Sequence, residues 1–286
     1  MSKKIAVIND LSGFGRCSLT AALPVISVMG VQPCPLPTAI LTGQTGYPSY
    51  YCDDYTGKME YFREEWEKMG VRFDGIYTGF VAGEEQIGQI FRFLDTFYKN
   101  DTFLLVDPVM GDDGEVYKLF TKKLLYRMKE LALQADILTP NLTELCLLTD
   151  EDYQKVQVLK DGQSIRTAVG KMARSLIQKG VKTVIVTGIR FQEMDSSGRN
   201  VQKIGNLTVT KEECVLSSFP YIGGSFSGTG DLFASVIAGG AARGRDIFEL
   251  VELAGTFVGE AMRDSAGEQV DRNDGTNFEK HLGMLM

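Results

Sequence analysis

An α/β fold with a mostly parallel central sheet is the architecture this sequence predicts, and three observations carry it. Short β-branched apolar runs recur along the chain, segments of helical spacing separate them, and polar motifs fall where the runs stop. Strands that are apolar without alternation are buried on both faces, which parallel sheets achieve with helices above and below. In such folds ligands sit at the carboxyl ends of the strands. The 286 residues contain no linker and no internal repeat, so a single domain spanning 1–286 is expected.

Residues 4–8 form the first expected strand and end at Asn9-Asp10. Gly13-x-Gly15-x-x-Ser18 and a helical segment follow, an opening that resembles a dinucleotide fingerprint with its last glycine replaced. A dinucleotide site also wants an acid about 20 positions on. Residues 32–41 contain none, which argues against a dinucleotide-dependent oxidoreductase. Residues 31–55 break the rhythm with Pro33, Pro35, Pro37 and Pro48 among tyrosines and threonines. Proline confines strands to edges or irregular positions, so this region reads as a strand pair or flap over a site. Further strands are expected at 103–106, 136–138 and 183–186, with helices at 83–97, 121–134 and 164–179. Their polar ends are Thr78-Gly79, Asp107-Pro108, Thr139-Pro140-Asn141 and Thr187-Gly188. Residues 189–215 are polar and suit a β-hairpin near Asp195 to Arg199.

The composition is that of a globular protein, 44% hydrophobic and 23% charged, and it narrows the chemistry. Thirty basic against 37 acidic side chains give a net charge of −7 with no basic cluster, a poor surface for nucleic acid or anionic membrane. No run of 18 apolar residues occurs, and the first ten residues do not read as a signal peptide. Cys17, Cys34, Cys52, Cys146 and Cys214 are scattered without a C-x-x-C pair, as expected of reduced cytoplasmic thiols. His281 is the only histidine, so a Ser-His-Asp relay, a histidine-held zinc and a phosphohistidine carrier would all rest on one side chain in a polar tail.

The most informative segment is Gly223-Gly224-Ser225-Phe226-Ser227-Gly228-Thr229-Gly230-Asp231, which runs into the small, apolar residues 232–242. If those residues form a buried helix, the turn aims bare N–H groups outward, and with the helix dipole they make an anion site. Asp231 stands where it could take a proton from an attacking hydroxyl. The ordinary alternative is a tight loop with a capping Asp. Residues 107–114 bring Asp107, Asp112 and Asp113 after a strand. That run is either a polar turn or a source of oxygens for a hard cation, with Asp107 or Asp112 supplying them. Asn141 with Glu144 three residues later is a helix-capping arrangement that could also orient a metal-bound water. Thr187-Gly188 could line a nucleotide pocket or merely end a strand, and Thr45-Gly46-Tyr47 offers a hydroxyl and an aromatic face.

Together these motifs resemble the ribokinase superfamily, and within it the pyridoxal (vitamin B6) kinases. The superfamily mark is Gly228-Thr229-Gly230-Asp231; the branch is suggested by Asp107-Pro108-Val109-Met110-Gly111-Asp112 with Tyr117, by Thr139-Pro140-Asn141 with Glu144, and by Thr45-Gly46-Tyr47. The resemblance covers about residues 5–260. It implies a ribokinase-like three-layer sandwich with a small β flap at about 31–55, and ATP-dependent phosphorylation of the 5′-hydroxymethyl group of pyridoxal, pyridoxamine or pyridoxine. Asp231 is then the general base, and Gly228, Thr229 and Gly230 are the anion hole. Asp112, Asn141 and Glu144 would organise Mg²⁺ and the triphosphate, directly or through water, with Asp112 and Glu144 as the metal residues. Thr139, Thr187 and Gly188 would border the nucleotide near Tyr117. Asp10, Cys17, Thr45, Tyr47 and Phe80 would surround the pyridine ring.

The resemblance further implies ATP and Mg²⁺ as requirements, K⁺ as a helper and a homodimer. Many pyridoxal kinases have Ser where Asp10 stands and Tyr where Phe80 stands, and a carboxylate at Asp10 points to a preference that includes pyridoxamine or pyridoxine. The related hydroxymethylpyrimidine kinases are the alternative within the superfamily. A non-catalytic ligand-binding protein is the alternative outside enzymes, and the intact Asp231 argues against it.

Overall fold

The computed structural model describes residues 2–195 and 197–286, which divide into two compact units: residues up to Asp107 together with Gly224–Met286, and Pro108–Gly223. In the first unit β1 (Lys4–Ser12) leads into α1 (Ser18–Val28) and back to β2 (Gln32–Leu41). Then come β3 (Cys52–Asp54), α2 (Thr56–Lys68), β4 (Gly75–Thr78), α3 (Glu84–Phe97) and β5 (Phe103–Val106). The strands lie in the order β5-β4-β1-β2-β3, all parallel except β3, which runs antiparallel to β2. Ile5 to Ile8, Ile76, Tyr77 and Leu104 to Val106 are wholly buried, which is why these strands show no polar alternation.

Two details of this sheet differ from what the sequence suggests. Asn9 and Asp10 do not end β1; the strand continues to Ser12 because it stays paired with β2, through an irregular register between Asn9 and Leu11. A bulge of this kind re-aims side chains, and its place next to a site is typical. The proline-bearing segment forms the expected strand pair, β2 with β3, but β2 is an interior strand between β1 and β3 and not an edge, and its prolines have a positional logic. Gln32 donates its N–H to Lys3 O at 2.8 Å, so along the strand the residues at 34 and 36 face β1 while Pro33, Pro35 and Pro37 face away. On that far side β3 pairs only with Ala39, Ile40 and Leu41, so the missing donors fall where no partner strand asks for them.

The second unit opens with a two-stranded ribbon of β6 (Gly111–Asp112) and β7 (Glu115–Val116), followed by α4 (Lys122–Ala132) and β8 (Ile137–Leu138). Helices α5 (Leu142–Thr149), α6 (Tyr153–Gln157) and α7 (Gly162–Ile177) precede β9 (Thr183–Met194), β10 (Asn200–Val209) and β11 (Cys214–Pro220). The order is β11-β10-β9-β8, with β8 and β9 parallel and the rest antiparallel. The hairpin expected near Asp195 to Arg199 is the β9–β10 turn, closed by Asp195 N–H to Arg199 O at 2.9 Å. Thr187-Gly188 lies inside β9 rather than at its end, again at an irregular register, between Val186 and Ile189 opposite Leu207 and Gly205. Parallel pairing with β8 reaches Val184 and a last parallel bridge joins Asn141 to Thr187, so the polar pair does mark where the parallel segment gives way.

The chain then returns to the first unit as α8 (Thr229–Ala242) and α9 (Ile247–Gly267), closed by 3-10 turns at Arg272–Asp274 and Phe278–Leu285. α8 packs on α1 and α9 and reaches β1, β4 and β5. Its small residues make that closeness possible. A Cβ on Gly239 would stand 2.7 Å from Met29 Sδ, and one on Gly240 would stand 2.0 Å from a methyl of Leu250. No helix among the described residues is long and apolar enough to cross a membrane.

Candidate active site

The amino end of α8 has the geometry that could cradle an anion. Gly228 caps the helix with φ +81°, and a Cβ there would lie 2.0 Å from Arg16 O and 2.9 Å from Cys17 Cα, so backbone packs on backbone and only glycine fits. No side chain caps the helix, and among the described residues no group accepts from the amides of Gly228, Thr229, Gly230 or Asp231. The first-turn N–H groups are thus available to an external anion. Asp231 is not the cap that the ordinary reading of such a loop supplies; its carboxylate turns to β1, where Asn9 Nδ2 donates to Oδ1 at 3.0 Å. Burial pushes its carboxyl up to about 6, with the charge of Asp10 adding to the rise and hydrogen bonds from the Ser18 amide and Asn9 opposing it. A carboxylate tuned to that range is a competent proton acceptor near neutrality.

Asp10 is buried, accepts from Ser12 Oγ at 2.8 Å, and has its carboxyl raised by burial against hydrogen bonds from Ser18 and Ser12. Cys17, also buried, occupies the N-cap of α1. Burial and then the charges of Asp231 and Asp10 push its thiol up to about 12, so it stays protonated at neutral pH and is a poor nucleophile toward an aldehyde. Phe80 is half-buried and enters through its backbone: its N–H goes to Asn9 Oδ1 at 2.8 Å and its carbonyl accepts from Thr38 Oγ1 at 2.9 Å.

The loop bearing Thr45, Gly46 and Tyr47 is held by the returning C-terminal segment. Gln44 Nε2 donates to Asn273 Oδ1 at 3.1 Å and to Ser227 Oγ at 3.2 Å, while its Oε1 accepts from Gly46 N–H at 2.7 Å. The Tyr47 hydroxyl donates to Asp274 Oδ1 at 2.5 Å, and burial together with that carboxylate holds its phenol above the ordinary range. Tyr47 therefore offers a ring, which meets Phe14 at 5.7 Å, and not a free hydroxyl. Thr45 itself is exposed. The 13–16 turn and the glycine-rich turn are tied to the same segment by Arg16 N–H to Asp274 O at 3.0 Å and Ser227 N–H to Arg272 O at 2.9 Å.

In the second unit, Asn141 and Glu144 form the reciprocal cap expected of them. Asn141 Oδ1 accepts from Glu144 N–H, and Glu144 Oε2 accepts from Asn141 N–H, both at 2.9 Å. The pair also organises the 107–114 run: Met110 N–H donates to Glu144 Oε1 at 3.0 Å and Asn141 Nδ2 to Gly111 O at 2.8 Å. Asp112, next along, is exposed in β6, as is Tyr117 after β7. Thr139 and Glu144 are buried. Thr187 sends its N–H to Pro140 O at 2.9 Å, and Gly188, at φ +70° with open space where a Cβ would be, sends its N–H to Asn206 Oδ1 at 3.2 Å.

Among the described residues no cluster of three or more His, Cys, Asp or Glu could enclose a metal ion. Mg²⁺ keeps several waters and takes one or two carboxylates plus substrate phosphates, a demand that Asp112 and Glu144 could meet. Because each Glu144 oxygen already accepts an amide, its fit to a cation is through water, whereas Asp112 is exposed.

The structure thus joins Asp231, Asp10, Cys17, Phe80 and the Gly228–Gly230 turn in one unit, and Asp112, Tyr117, Thr139, Asn141, Glu144, Thr187 and Gly188 in the other. Sequence reasoning named no role for Asn9, Ser12, Ser18, Gln44, Asn206, Asn273 or Asp274. Two of them carried a signal: Asn9, as half of the polar pair after the first apolar run, and Ser18, as the last position of the Gly13-x-Gly15-x-x-Ser18 motif.

Comparison with known proteins follows the same lines. The sequence profile of the phosphomethylpyrimidine kinase family matches residues 18–276. A Bacteroides thetaiotaomicron protein assigned as a phosphomethylpyrimidine kinase, crystallised in a form with pyridoxal, is similar with a TM-score of 0.88 and 34% identity over 100% of this chain and 96% of its own. The pyridoxal kinase of Lactobacillus plantarum is similar with a TM-score of 0.83 and 27% identity over 99% and 96%. The pyridoxine/pyridoxal/pyridoxamine kinase of Bordetella avium is 25% identical over 257 residues, 87% of this chain and 81% of that protein.

Proposed function

The chain belongs to the phosphomethylpyrimidine kinase family, and from that premise we propose that it is a pyridoxal kinase that transfers the γ-phosphoryl group of ATP to the 5′-hydroxymethyl group of a B6 vitamer. The observation that carries the reading is the buried Asp231 carboxyl, raised to about 6 and standing one residue beyond amides that have no acceptor among the described residues, at the mouth of α8. Relatives named as pyridoxal kinases over nearly the whole chain support the vitamer as acceptor.

Phosphoryl transfer asks for in-line positioning and for relief of charge spreading over the phosphoryl oxygens. Asp231 takes the hydroxymethyl proton as the oxygen attacks. The amides of Gly228, Thr229 and Gly230 meet the oxygens of the migrating group, their cost of orientation already met by the fold. Mg²⁺, when bound, would neutralise triphosphate charge, with Asp112 and, through water, Glu144 as its protein contacts. Thr139, Asn141, Thr187, Gly188 and Tyr117 serve the nucleotide. Asp10, the Tyr47 ring, Thr45 and Phe80 serve the vitamer, and Cys17 packs beside it as a neutral thiol. Residues 1–286 act as one kinase domain of a cytoplasmic homodimer, with the part of 31–55 that follows β2 as a flap that limits water access and K⁺ as an accessory ion.

A hydroxymethylpyrimidine acceptor is the second reading, favoured by the family profile and by the assignment of the Bacteroides protein. ADP release measured with ATP, Mg²⁺ and each of pyridoxal, pyridoxamine, pyridoxine and hydroxymethylpyrimidine separates the two. Higher kcat/KM for a B6 vitamer is expected; higher kcat/KM for the pyrimidine would overturn the vitamer reading, and no ADP with any acceptor would overturn the kinase.

A further inference from the structure

We propose that Asn9 is a positioning residue whose locked carboxamide holds Asp231 Oδ1 and thereby aims the carboxylate that takes the substrate proton. The inference rests on the proposed role of Asp231, and its support is the geometry of one wholly buried side chain. Asn9 Oδ1 accepts two backbone donors at once, Asp10 N–H at 3.0 Å and Phe80 N–H at 2.8 Å. A flipped amide would set its own NH₂ against both of those donors, so the orientation is decided by the network. Nδ2 is then forced toward Asp231, at 3.0 Å from Oδ1.

The backbone is shaped around this arrangement. Asn9 stands at the β1 bulge, and Gly79 leaves the space it fills: a Cβ on Gly79 would lie 2.5 Å from Asn9 Nδ2. One carboxamide thus links the strand, the turn after β4 and the first turn of α8.

The other groups around Asp231 show why such a donor matters. Asp10 on β1 brings negative charge. Cys17 at the start of α1 and Tyr77 on β4 are buried groups whose own protons are held more tightly by the Asp231 charge, and Tyr77 also lies in the field of Asp107. A Cβ on Gly230 would stand 3.9 Å from Asp107 Oδ2. α9 meets α8 at its other end, through Leu250 and Gly240. Among the described residues, only Asn9 and the Ser18 amide offset this environment with donors. Of the two, Asn9 alone is a side chain that substitution can change.

The test is a double-mutant cycle of Asn9→Asp, Asp231→Asn and both together. Asn9→Asp keeps an oxygen for the two backbone donors and faces Asp231 with an acceptor. Its acid limb in log kcat/KM against pH is expected to rise by about one unit or more, with KM for ATP unchanged and kcat/KM recovering at higher pH. A role in folding alone would depress kcat/KM equally at every pH. In thermal melts at pH 7, Asn9→Asp should lower the midpoint, and most of that loss should vanish in the Asp231→Asn background. If Asn9→Asp fails to fold alone but folds with Asp231→Asn, the coupling is shown by rescue. Additive midpoints, an unmoved acid limb, or failure of both variants to fold would overturn the proposal. The melts need no substrate, so a coupled cycle without vitamer turnover would sink the function and leave the Asn9–Asp231 contact standing.

Discussion

Asp231 concentrates the conflict between stability and chemistry. Its carboxyl is raised to about 6 in the folded protein, so the folded state holds the proton more tightly than the unfolded chain does. The stability tied to that proton is fully present below the ordinary carboxylate range and is lost as pH climbs through about 6. Replacing Asp231 by Asn should therefore raise the melting midpoint at pH 7 and give little gain at pH 4, which melts at the two pH values will check. The same change should cut kcat by roughly 10²- to 10⁴-fold, the range for a lost general base, with nucleotide affinity nearly unchanged. In the unaltered enzyme, log kcat/KM should fall with unit slope below about pH 6. Asp10 bears on selectivity instead: Asp10→Ser should shift kcat/KM toward pyridoxal relative to pyridoxamine and pyridoxine. Equal vitamer ratios in both proteins would remove that idea.

At the scale of elements, the site depends on segments that meet only because the last turns of the chain come back to it. Arg272–Asp274 receives hydrogen bonds from Arg16, Gln44, Tyr47 and Ser227, which belong to three different loops. Gln44→Ala removes two side-chain links of that clasp and should raise KM for the vitamer several-fold while leaving KM for ATP in place, a split that steady-state kinetics will read. The glycine turn is less tolerant. Gly228→Ala sets a Cβ 2.0 Å from Arg16 O at a residue with φ +81°, so backbone must move. A stability loss of about 1–3 kcal/mol from that strain, with turnover falling further than stability alone explains, is the expected outcome in denaturant melts and assays. Sequence reasoning reached these elements unevenly. Strand 103–106 matches β5 and the helix at 83–97 matches α3 to within a residue, because continuous apolar runs and 3.6-residue spacing are local properties. The bulges at Asn9 and Thr187 were invisible, since a bulge is a fact about two paired strands.

For the molecule as a whole, the proposed assignment of nucleotide residues to one unit and vitamer residues to the other yields a test by kinetic signature. Asn141 caps α5 and supports the Met110–Asp112 run through Gly111 O. Asn141→Ala should cost about 0.5–2 kcal/mol of stability, the usual loss of a cap, and raise KM for ATP more than KM for the vitamer. Changes at Gln44 or Asp10, in the first unit, should show the reverse. Chelation of Mg²⁺ should abolish turnover in every variant and readdition restore it, since a triphosphate beside a chain of net charge −7 needs its charge offset.

By itself the sequence determined the alternation of strands and helices, the glycine turn ending at Asp231, and the Asn141–Glu144 cap, because each is written in residues that are neighbours along the chain. Tertiary structure alone decided that Asn9 would hold Asp231, 222 positions away, and that Gln44 would meet Asn273, 229 positions away. Contacts of that reach leave no period and no spacing to read; they arise when buried polar atoms must find partners among whatever groups the packed strands and helices bring within reach.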